Sequence, residues 1–420
     1  MTEHYSPHSE PSGGPLPPPA PGPSRRRRIL RRALLGAVVV MVGAVGSGSW
    51  AYFHLNGNLH HAPLNLGPAT QTREQKDRAG HNSMNILVIG SDTRSTAADC
   101  LMLNVGIDCS AGANADTEML VHLSADRTDA TVLSIPRDTV VDIPSCTDPK
   151  SGRVYPAMPQ TPITASLQNG GPGCTVAAVH ALTGITIDHF VMSDFAGAVA
   201  MTDAVGGVQI CVDNNIYDPH SSLKLTKGAH TLKGLAAMEF LHTRYGFGDG
   251  SDLGRVEAQH AYLTALIQKL RTSDMLSNPV TLYHLLNTAT RALTVDDGLA
   301  GLSQLGSLAA RLNEVSPSRT VFLTMPNVPY PSNNNWVSPA PSAAAVFRKV
   351  IEDRPLTTAR SSADLVTPTA FLSATSAGPS SPRTAADPPG CIPVSTQDTT
   401  PLGSPIHAYA MKPDIPNSAP

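Results

Sequence analysis

The sequence has almost no excess charge. Its 420 residues contain 30 lysines and arginines against 33 aspartates and glutamates, which gives a formal net charge of −3 at pH 7. This balance implies no general attraction to nucleic acid or to an anionic lipid surface, and no segment resembles a DNA-reading motif. Any site for a charged ligand must therefore be built locally from a few side chains.

Cysteine is also scarce, and its spacing argues against a metal cluster. The six cysteines form no CxxC pair and no array with histidine at zinc-ligand spacing. Disulfides are the favoured interpretation: Cys100 with Cys109, and Cys146 with Cys174, are two possible pairs, although sequence does not fix connectivity. Cys391 stands alone near the C-terminus. Reduced, buried cysteines are the alternative.

Proline and glycine are abundant, with 37 and 33 copies, which is more than one compact domain would use. Residues 1–32 are rich in proline and arginine, and residues 357–420 are rich in serine, threonine, proline and alanine. Neither tail shows apolar periodicity, so we predict that both are disordered. The folded part is therefore expected between them.

One long apolar run precedes the folded part. Residues 33–55 contain no lysine, arginine, aspartate or glutamate and are long enough to cross a bilayer of roughly 30 Å as one helix. Six arginines precede the run and none follows it closely, which predicts a cytoplasmic N-terminus and an exported remainder. A cleaved secretory signal is the alternative. We expect a single-pass membrane protein with a polar linker at residues 56–82.

Residues 83–356 alternate between strand and helix patterns. Short apolar runs such as residues 86–89 predict buried strands, and a helix is predicted from Thr175 to Thr183, where Gly184 would end it. Residues 275–312 look helical throughout. This alternation predicts an α/β domain with helices on both faces of a sheet, where ligands collect at loops beyond the strand ends.

Charged side chains are concentrated between His242 and His260. On a helix, Asp252, Arg255 and Gln259 share one face, and Arg244 precedes them across a glycine-rich turn. Planar guanidinium groups bind phosphate oxygens bidentately, so converging arginines favour a pyrophosphate site. The alternative is an Asp252–Arg255 salt bridge on a solvated helix face, where an exposed arginine would contribute little to folding.

Several segments, taken in order, resemble the LytR-CpsA-Psr (LCP) family. They span residues 83–356 and are NILVIGSDTR, ADTEMLVHL, VLSIPRDTVVDIP, NGGPGCTVAAVHALTGITIDHFVMSDFAGAV, DAVGGVQICV, LKGLAAMEFLHTRYGFGDGSDLGRVEAQ and VFLTMPNVPY. No single segment is very specific, but their succession behind one membrane helix is. The resemblance implies an LCP-like fold, with a central mixed β-sheet flanked by helices on both faces.

The resemblance also implies an activity. Enzymes of this family are described as Mg²⁺-dependent cell-wall ligases that move a glycopolymer from a polyprenyl-pyrophosphate carrier to peptidoglycan through a phosphodiester, on the cell-wall side of the cytoplasmic membrane. The alanine- and proline-rich composition suggests a high-GC Gram-positive source, for which arabinogalactan or a related polymer is implied. Rival interpretations are a non-catalytic glycopolymer-binding protein, a polyprenyl-pyrophosphate hydrolase and a membrane-bound transcriptional attenuator.

Site residues follow by motif position. Asp92 and Asp116 match the carboxylates that hold Mg²⁺. The expected pyrophosphate-binding residues are Arg137, Arg244, Arg255, Gln259 and His242, and the expected catalytic residues are Asp116, Arg137, Arg244, Asp252 and Arg255. Asp252 is either a partner of Arg255 or a base toward the acceptor hydroxyl.

Two further points qualify these roles. The family commonly has arginine where this chain has His242, so a permanent positive charge is replaced by a group that is only partly charged near neutral pH. Asp138 is expected to orient Arg137. Local turn formation or a local ion pair remains the alternative for Asp92, Asp116 and Arg137.

Overall fold

A computed structural model describes most of the region between the tails. The described residues are 25–65, 67, 82–92, 113–148, 151–248, 250, 252–272, 275, 277–356, 383–384 and 391–395. The predicted Cys100–Cys109 pair lies outside them, as do most of the predicted linker and most of both tails.

The chain divides into two compact units, one ending at Phe53 and the other beginning at His54. The first unit contains most of helix α1 (Arg25–Gly57). Its part from Gly36 to Gly57 is long and apolar enough to cross a membrane. This is consistent with a single-pass membrane protein.

The second unit is organised around one eight-stranded mixed sheet. Its strands, in spatial order, are β1 (His60–Ala62), β14 (Leu293–Asp296), β9 (His189–Asp194), β2 (Met84–Ser91), β3 (Ala115–Leu123), β4 (Ala130–Ile135), β15 (Thr320–Thr324) and β18 (Arg383–Thr384). The expected mixed sheet is therefore confirmed. The sheet begins earlier than the sequence indicates, because β1 lies within the predicted linker and pairs with β14.

Four strands of the sheet run in the same direction. β2 is parallel to β9, β4 is parallel to β15, and β3 is antiparallel to both β2 and β4. The carboxyl ends of β2, β4, β9 and β15 therefore lie at one edge, together with the start of β3. We call this edge the carboxyl edge.

The described part of the second unit contains seven helices. They are α2 (Pro172–Thr183), α3 (Phe195–Ala204), α4 (Gly234–His242), α5 (Asp252–Thr272), α6 (Pro279–Ala292), α7 (Leu302–Glu314) and α8 (Ala343–Ile351). One face of the sheet packs against α2 and α8 through Val176, Val179 and Phe347. Residues of α5 and α7, including Leu263, pack against other sheet residues. Helices thus cover both faces, as predicted.

Five two-stranded sheets also lie in the residues of this unit that the structure describes. They are β5 (Val140–Ile143) with β8 (Met158–Pro162), β6 (Cys146–Thr147) with β7 (Val154–Tyr155), β10 (Val208–Val212) with β13 (Gly228–Leu232), β11 (Ile216–Asp218) with β12 (Leu223–Leu225), and β16 (Asn327–Tyr330) with β17 (Asn333–Pro339). A second core, which includes Phe240 of α4 and Phe247, packs beneath β10–β13 and α5.

Two features differ from the sequence prediction. The stretch 275–312 is not continuous helix, because residues 293–296 leave α6 to form β14; Val295 is fully buried there between β1 and β9. Cys391 is not alone, since it forms a disulfide with Cys211 across 180 residues. The Cys146–Cys174 disulfide is formed as predicted.

Candidate functional site at the carboxyl edge

Three of the predicted site residues, Asp92, Asp116 and Arg137, lie at strand ends on the carboxyl edge. Asp92 follows β2, Arg137 follows β4, and Phe195 follows β9 directly. Asp116 lies at the start of the antiparallel β3 and so belongs to the same edge. Ligands of α/β proteins collect beyond the carboxyl ends of strands, where loops from several strands converge.

Asp116 owes its position to an irregularity between β2 and β3. Gly90 pairs with Thr117 and Ser91 pairs with Ala115, so Asp116 is the extra residue of a β-bulge. Bulges next to functional sites redirect a side chain away from the regular alternation of the strand. Asp116 is 9% exposed and accepts a hydrogen bond from Arg137 Nη1. The bulge therefore presents a carboxylate to the guanidinium that follows β4.

Asp138 holds the other side of Arg137. Its Oδ1 lies 3.4 Å from Arg137 Nε, and the Arg137 side chain is 23% exposed. Asp138 and Asp116 therefore flank one guanidinium that still reaches the surface, as the sequence suggested for Asp138. A guanidinium held in this way is oriented before any ligand arrives.

Asp92 lies beside Asp116 on the neighbouring strand. Its two carboxylate oxygens accept hydrogen bonds from the backbone N–H and the side-chain amide of Asn114, and its own N–H donates to the Asn114 carbonyl. The Asn114 amide oxygen accepts in turn from Gln168 Nε2 at 2.6 Å. Asp92 is thus fixed by a side chain that the sequence interpretation did not single out.

Asp92 and Asp116 form a suitable, though incomplete, ligand set for Mg²⁺. Among the residues that the structure describes, no three histidine, cysteine, aspartate or glutamate side chains are placed to share an ion. Mg²⁺ commonly takes only one or two carboxylates and completes its shell with water and phosphate oxygens. The two carboxylates fit such a cation when a phosphate-bearing ligand supplies further oxygens.

Arg255 and Gln259 lie on the buried face of helix α5, which packs against the sheet. Arg255 is 5% exposed and Gln259 is 6% exposed. Gln259 Nε2 donates to Thr117 Oγ1 at 2.8 Å, opposite Gly90 in the β2–β3 register. Arg255 and Gln259 therefore share one face, as expected, but the alternative that Arg255 lies on a solvated helix face is wrong, because its side chain is buried. The helix packs on the sheet through this face, and a surface salt bridge does not account for Arg255.

His242, the last residue of α4, lies in the same neighbourhood. Its ring centroid is 3.8 Å from that of Phe195, and its Nδ1–H donates to the Met238 carbonyl at 2.9 Å. Burial is the main cause that lowers the pKa of His242. The Met238 carbonyl and Asp116 oppose this shift, while Arg255 and Arg137 add to it. Asp116, Arg137 and Arg255 therefore all lie near enough to His242 to act on its charge, and a pKa lowered from its ordinary value of 6.5 leaves the imidazole neutral at pH 7.

Arg244 lies two residues further on, in a turn organised by a buried aspartate. Asp218 is fully buried; its Oδ2 accepts from Thr243 Oγ1 at 2.6 Å and, more weakly, from the N–H groups of Arg244 and Tyr245. The sequence interpretation missed Asp218. The Asp-Pro dipeptide at residues 218–219 signals a turn, but nothing in the sequence connects it with Arg244.

The remaining predicted residue, Asp252, is the first residue of α5. Its side chain lies outside the described part of the chain, so its two possible roles stay predictions. The structure therefore clusters Asp116, Arg137, His242 and Arg255, places Asp92 and Gln259 beside them, and positions the Arg244 backbone through Asp218.

These features define an α/β protein with a site of arginines and carboxylates at the carboxyl edge of its sheet, in a chain that also contains a candidate membrane helix. The chain belongs to the LytR_cpsA_psr family, whose model matches residues 52–350. The expected family is confirmed.

Curated relatives include two proteins of Corynebacterium glutamicum. The chain is 29% identical over 348 residues to cell wall biosynthesis protein LcpA, covering 78% of this chain and 65% of the relative. It is 31% identical over 296 residues to the probable cell wall biosynthesis protein LcpB, covering 68% of this chain and 64% of the relative. The chain thus spans slightly less than two thirds of the length of these relatives.

A more distant relative carries an enzyme name. Polyisoprenyl-teichoic acid–peptidoglycan teichoic acid transferase TagT of Bacillus subtilis is 27% identical over 260 residues, covering 59% of this chain and 73% of TagT. Among solved structures, TagT bound to LI-WTA aligns with a TM-score of 0.49 at 21% identity, covering 70% of this chain and 99% of the TagT chain.

Proposed function

We propose that this protein is a membrane-anchored phosphotransferase that moves a glycopolymer from a polyprenyl-pyrophosphate carrier onto peptidoglycan. The observation that carries the proposal is the cluster of Asp116, Arg137, His242 and Arg255 at the carboxyl edge. The names of the relatives LcpA and TagT support the same cell-wall role.

The chemistry suits these residues. An acceptor hydroxyl oxygen forms a bond to the phosphorus that carries the glycopolymer, and the bond from this phosphorus to the bridging oxygen breaks. Polyprenyl phosphate leaves, and the hydroxyl proton passes to a base or to water. Negative charge builds up on the phosphate oxygens in such a transfer, and preoriented guanidinium groups stabilise it. Arg137 and Arg255 are the groups that we assign to this task, with Arg244 and Gln259 assisting in binding.

Mg²⁺ is part of the proposal. Asp92 and Asp116 would hold it, and when bound it would supply positive charge to the pyrophosphate oxygens. Two neighbouring side chains would orient the groups of this site: Asp138 keeps Arg137 oriented, and Asn114 keeps Asp92 oriented.

The proposed location is the outer side of the cytoplasmic membrane. Helix α1 would be the anchor, with the arginine-rich N-terminus in the cytoplasm and the second unit on the cell-wall side. A polyprenyl carrier remains in the membrane, so an anchored enzyme meets its donor there. Peptidoglycan is the proposed acceptor on the same side.

Substitution of Arg255 by lysine tests the proposal. Lysine keeps the charge but loses the planar fork, so we expect kcat/KM to fall at least about tenfold with a polyprenyl-pyrophosphate glycan donor, Mg²⁺ and peptidoglycan. Arg319→Lys is the matched control, because Arg319 precedes β15 at the opposite edge of the sheet and pairs with Asp129. Equal turnover in both variants and the wild type would refute the assignment of Arg255.

A second candidate is a wall protein that binds such glycopolymers without transferring them. The neutral His242, in place of a permanent charge, favours this candidate. The same assay separates the two: donor binding without release of polyprenyl phosphate indicates the binding protein. Release without an acceptor, and no linkage to peptidoglycan when acceptor is present, indicates a hydrolase.

A further inference from the structure

A short C-terminal segment, residues 391–395, contacts the turn that carries Arg244. The segment lies beyond the part of the chain that the family model matches, which ends at residue 350. It begins at Cys391, which is bonded to Cys211 of β10. We call residues 391–395 the C-terminal segment and residues 243–248 the arginine turn.

The first half of the segment is fixed on β10. The Ile392 N–H donates to the Cys211 carbonyl at 2.7 Å, and the Asp213 N–H donates to the Ile392 carbonyl at 3.1 Å. Ile392 and Val394 are 4% and 7% exposed and belong to the second core together with Phe247. The disulfide, the backbone pairing and the buried side chains together give the segment one defined position.

The second half reaches the arginine turn. The Val394 N–H donates to Asp213 Oδ1 at 2.8 Å, and Val394 forms an antiparallel bridge with Phe247. The Ser395 N–H donates to the Gly246 carbonyl at 2.9 Å, and Ser395 Oγ donates to the Gly248 carbonyl at 3.0 Å. Ser395 is 2% exposed. One buried serine therefore donates hydrogen bonds to two carbonyl groups of the turn.

The turn is held from a second side by Asp218, which accepts from Thr243 and Arg244. Between these two supports the backbone passes from His242, at the end of α4, to α5, which carries Arg255. Gly248 adopts φ +59, a conformation that favours glycine. Because glycine is conformationally permissive, the turn has little intrinsic preference for one shape. Its geometry therefore depends on the contacts made by Asp218 and Ser395.

We propose that Asp213 and Ser395 are positioning residues that fix the arginine turn, and with it Arg244, in the orientation that receives the donor pyrophosphate. The serine acts through the turn carbonyls, and Asp213 acts by holding Val394, so neither residue touches the ligand. The expected effect on donor binding rests on the proposed function. The expected effect on amide hydrogen exchange in the turn does not.

The test compares full-length wild type with Ser395→Ala, Ser395→Thr and Asp213→Ala. Ser307→Ala is the matched control, because Ser307 Oγ donates to the Ser303 carbonyl at 2.9 Å but lies on the exposed face of helix α7. Amide hydrogen exchange reports on the arginine turn and on α2 for comparison. Binding of a short-chain polyprenyl pyrophosphate with Mg²⁺ reports on the site, and kcat is measured separately with donor and acceptor.

We expect faster exchange in residues 243–248 of Ser395→Ala and Asp213→Ala, with α2 unchanged. Loss of one buried hydrogen bond corresponds to a rise of about fivefold in the donor Kd, with a smaller effect on kcat. Ser395→Thr keeps the hydroxyl and is expected to recover donor binding.

Two results would overturn the inference. One is exchange in the turn that equals that of wild type; the other is faster exchange with an unchanged donor Kd, which would make the segment purely structural. A wild type that does not bind the probe, although exchange responds as expected, refutes the proposed function and the link to binding together. In that case the support of the turn by Ser395 still stands.

Discussion

His242 is a neutral ring among charged side chains. Phe195 covers its ring at 3.8 Å, and Arg137 and Arg255 disfavour a further positive charge beside them. The free site therefore carries less positive charge than one with arginine at this position. Because the pKa of His242 is lowered in the folded protein, its protonation also links the pH to the free energy of unfolding.

This linkage predicts how stability responds to acid. Because the pKa of His242 is lowered in the folded protein, the unfolded state takes up the proton first as the pH falls below about 6.5. Above that pH both states are neutral and the group adds no slope. We expect the wild type to lose more free energy of unfolding between about pH 6.5 and 5 than His242→Gln does, as measured by denaturant unfolding.

The comparison with His242→Gln isolates one histidine from the other fourteen. Glutamine retains a donor for the Met238 carbonyl but does not titrate in this range. If the two proteins show parallel stability curves over the whole interval, the pKa of His242 is not lowered. A wild type that loses less free energy of unfolding than His242→Gln over this interval would mean that the pKa is raised instead.

At the scale of single residues, the sequence predicted the positions of some side chains and not of others. Arg255 and Gln259 share a face because helical spacing is regular, and that much follows from their numbers. The bulge that turns Asp116 toward Arg137 depends on the register of β2 and β3, which the sequence does not reveal. Asp218 acts on residues 25 positions away, and only the folded chain brings it there.

The arginine turn and α5 are joined by close backbone packing at Gly254. A Cβ at this position would collide with the carbonyl oxygens of Phe247 and Arg244. The contact fixes the spacing between the turn that carries Arg244 and the helix that carries Arg255. Glycine at 254, in the first turn of α5, therefore serves the geometry of the site.

We predict that Gly254→Ala lowers the free energy of unfolding by about 1–3 kcal/mol and weakens pyrophosphate binding, because the turn must move away from the helix. Gly306→Ala in α7 is the control, since no atom lies within 4 Å of its added Cβ. That variant is expected to gain roughly 0.5–1 kcal/mol from helix propensity. Thermal unfolding and pyrophosphate titration provide the two measurements. A neutral Gly254→Ala would show that the turn adapts freely.

Among the elements, regular patterns were predictable and tertiary pairings were not. The helix ending at Gly184 follows from local chemistry, since this glycine adopts the left-handed C-cap conformation. The strand at residues 293–296 interrupts a helical pattern only because β1 and β9 lie on either side of it. Cys391 finds Cys211 through the fold of the whole unit.

At the scale of the whole molecule, the disulfides and the arginines before the apolar helix both bear on the compartment in which the second unit lies. The described part of the second unit contains two disulfides, Cys146–Cys174 and Cys211–Cys391. Disulfides persist in oxidising compartments and are rare in the cytoplasm. Six arginines before the apolar helix independently favour a cytoplasmic N-terminus. Both observations support the proposed location of the second unit, on the outer side of the cytoplasmic membrane.

We therefore predict that these four cysteines resist alkylation in intact cells until a reductant is added. Replacing the six arginines of residues 25–32 with alanine, and adding lysines after Gly57, is expected to invert part of the population and leave its cysteines reactive. The unaltered protein is the control, and mass spectrometry of alkylated peptides gives the oxidised fraction. The orientation set by charge and the redox state of the second unit should change together. Two results would therefore contradict the argument: cysteines that react in the unaltered protein, and cysteines that stay equally oxidised after the charge reversal.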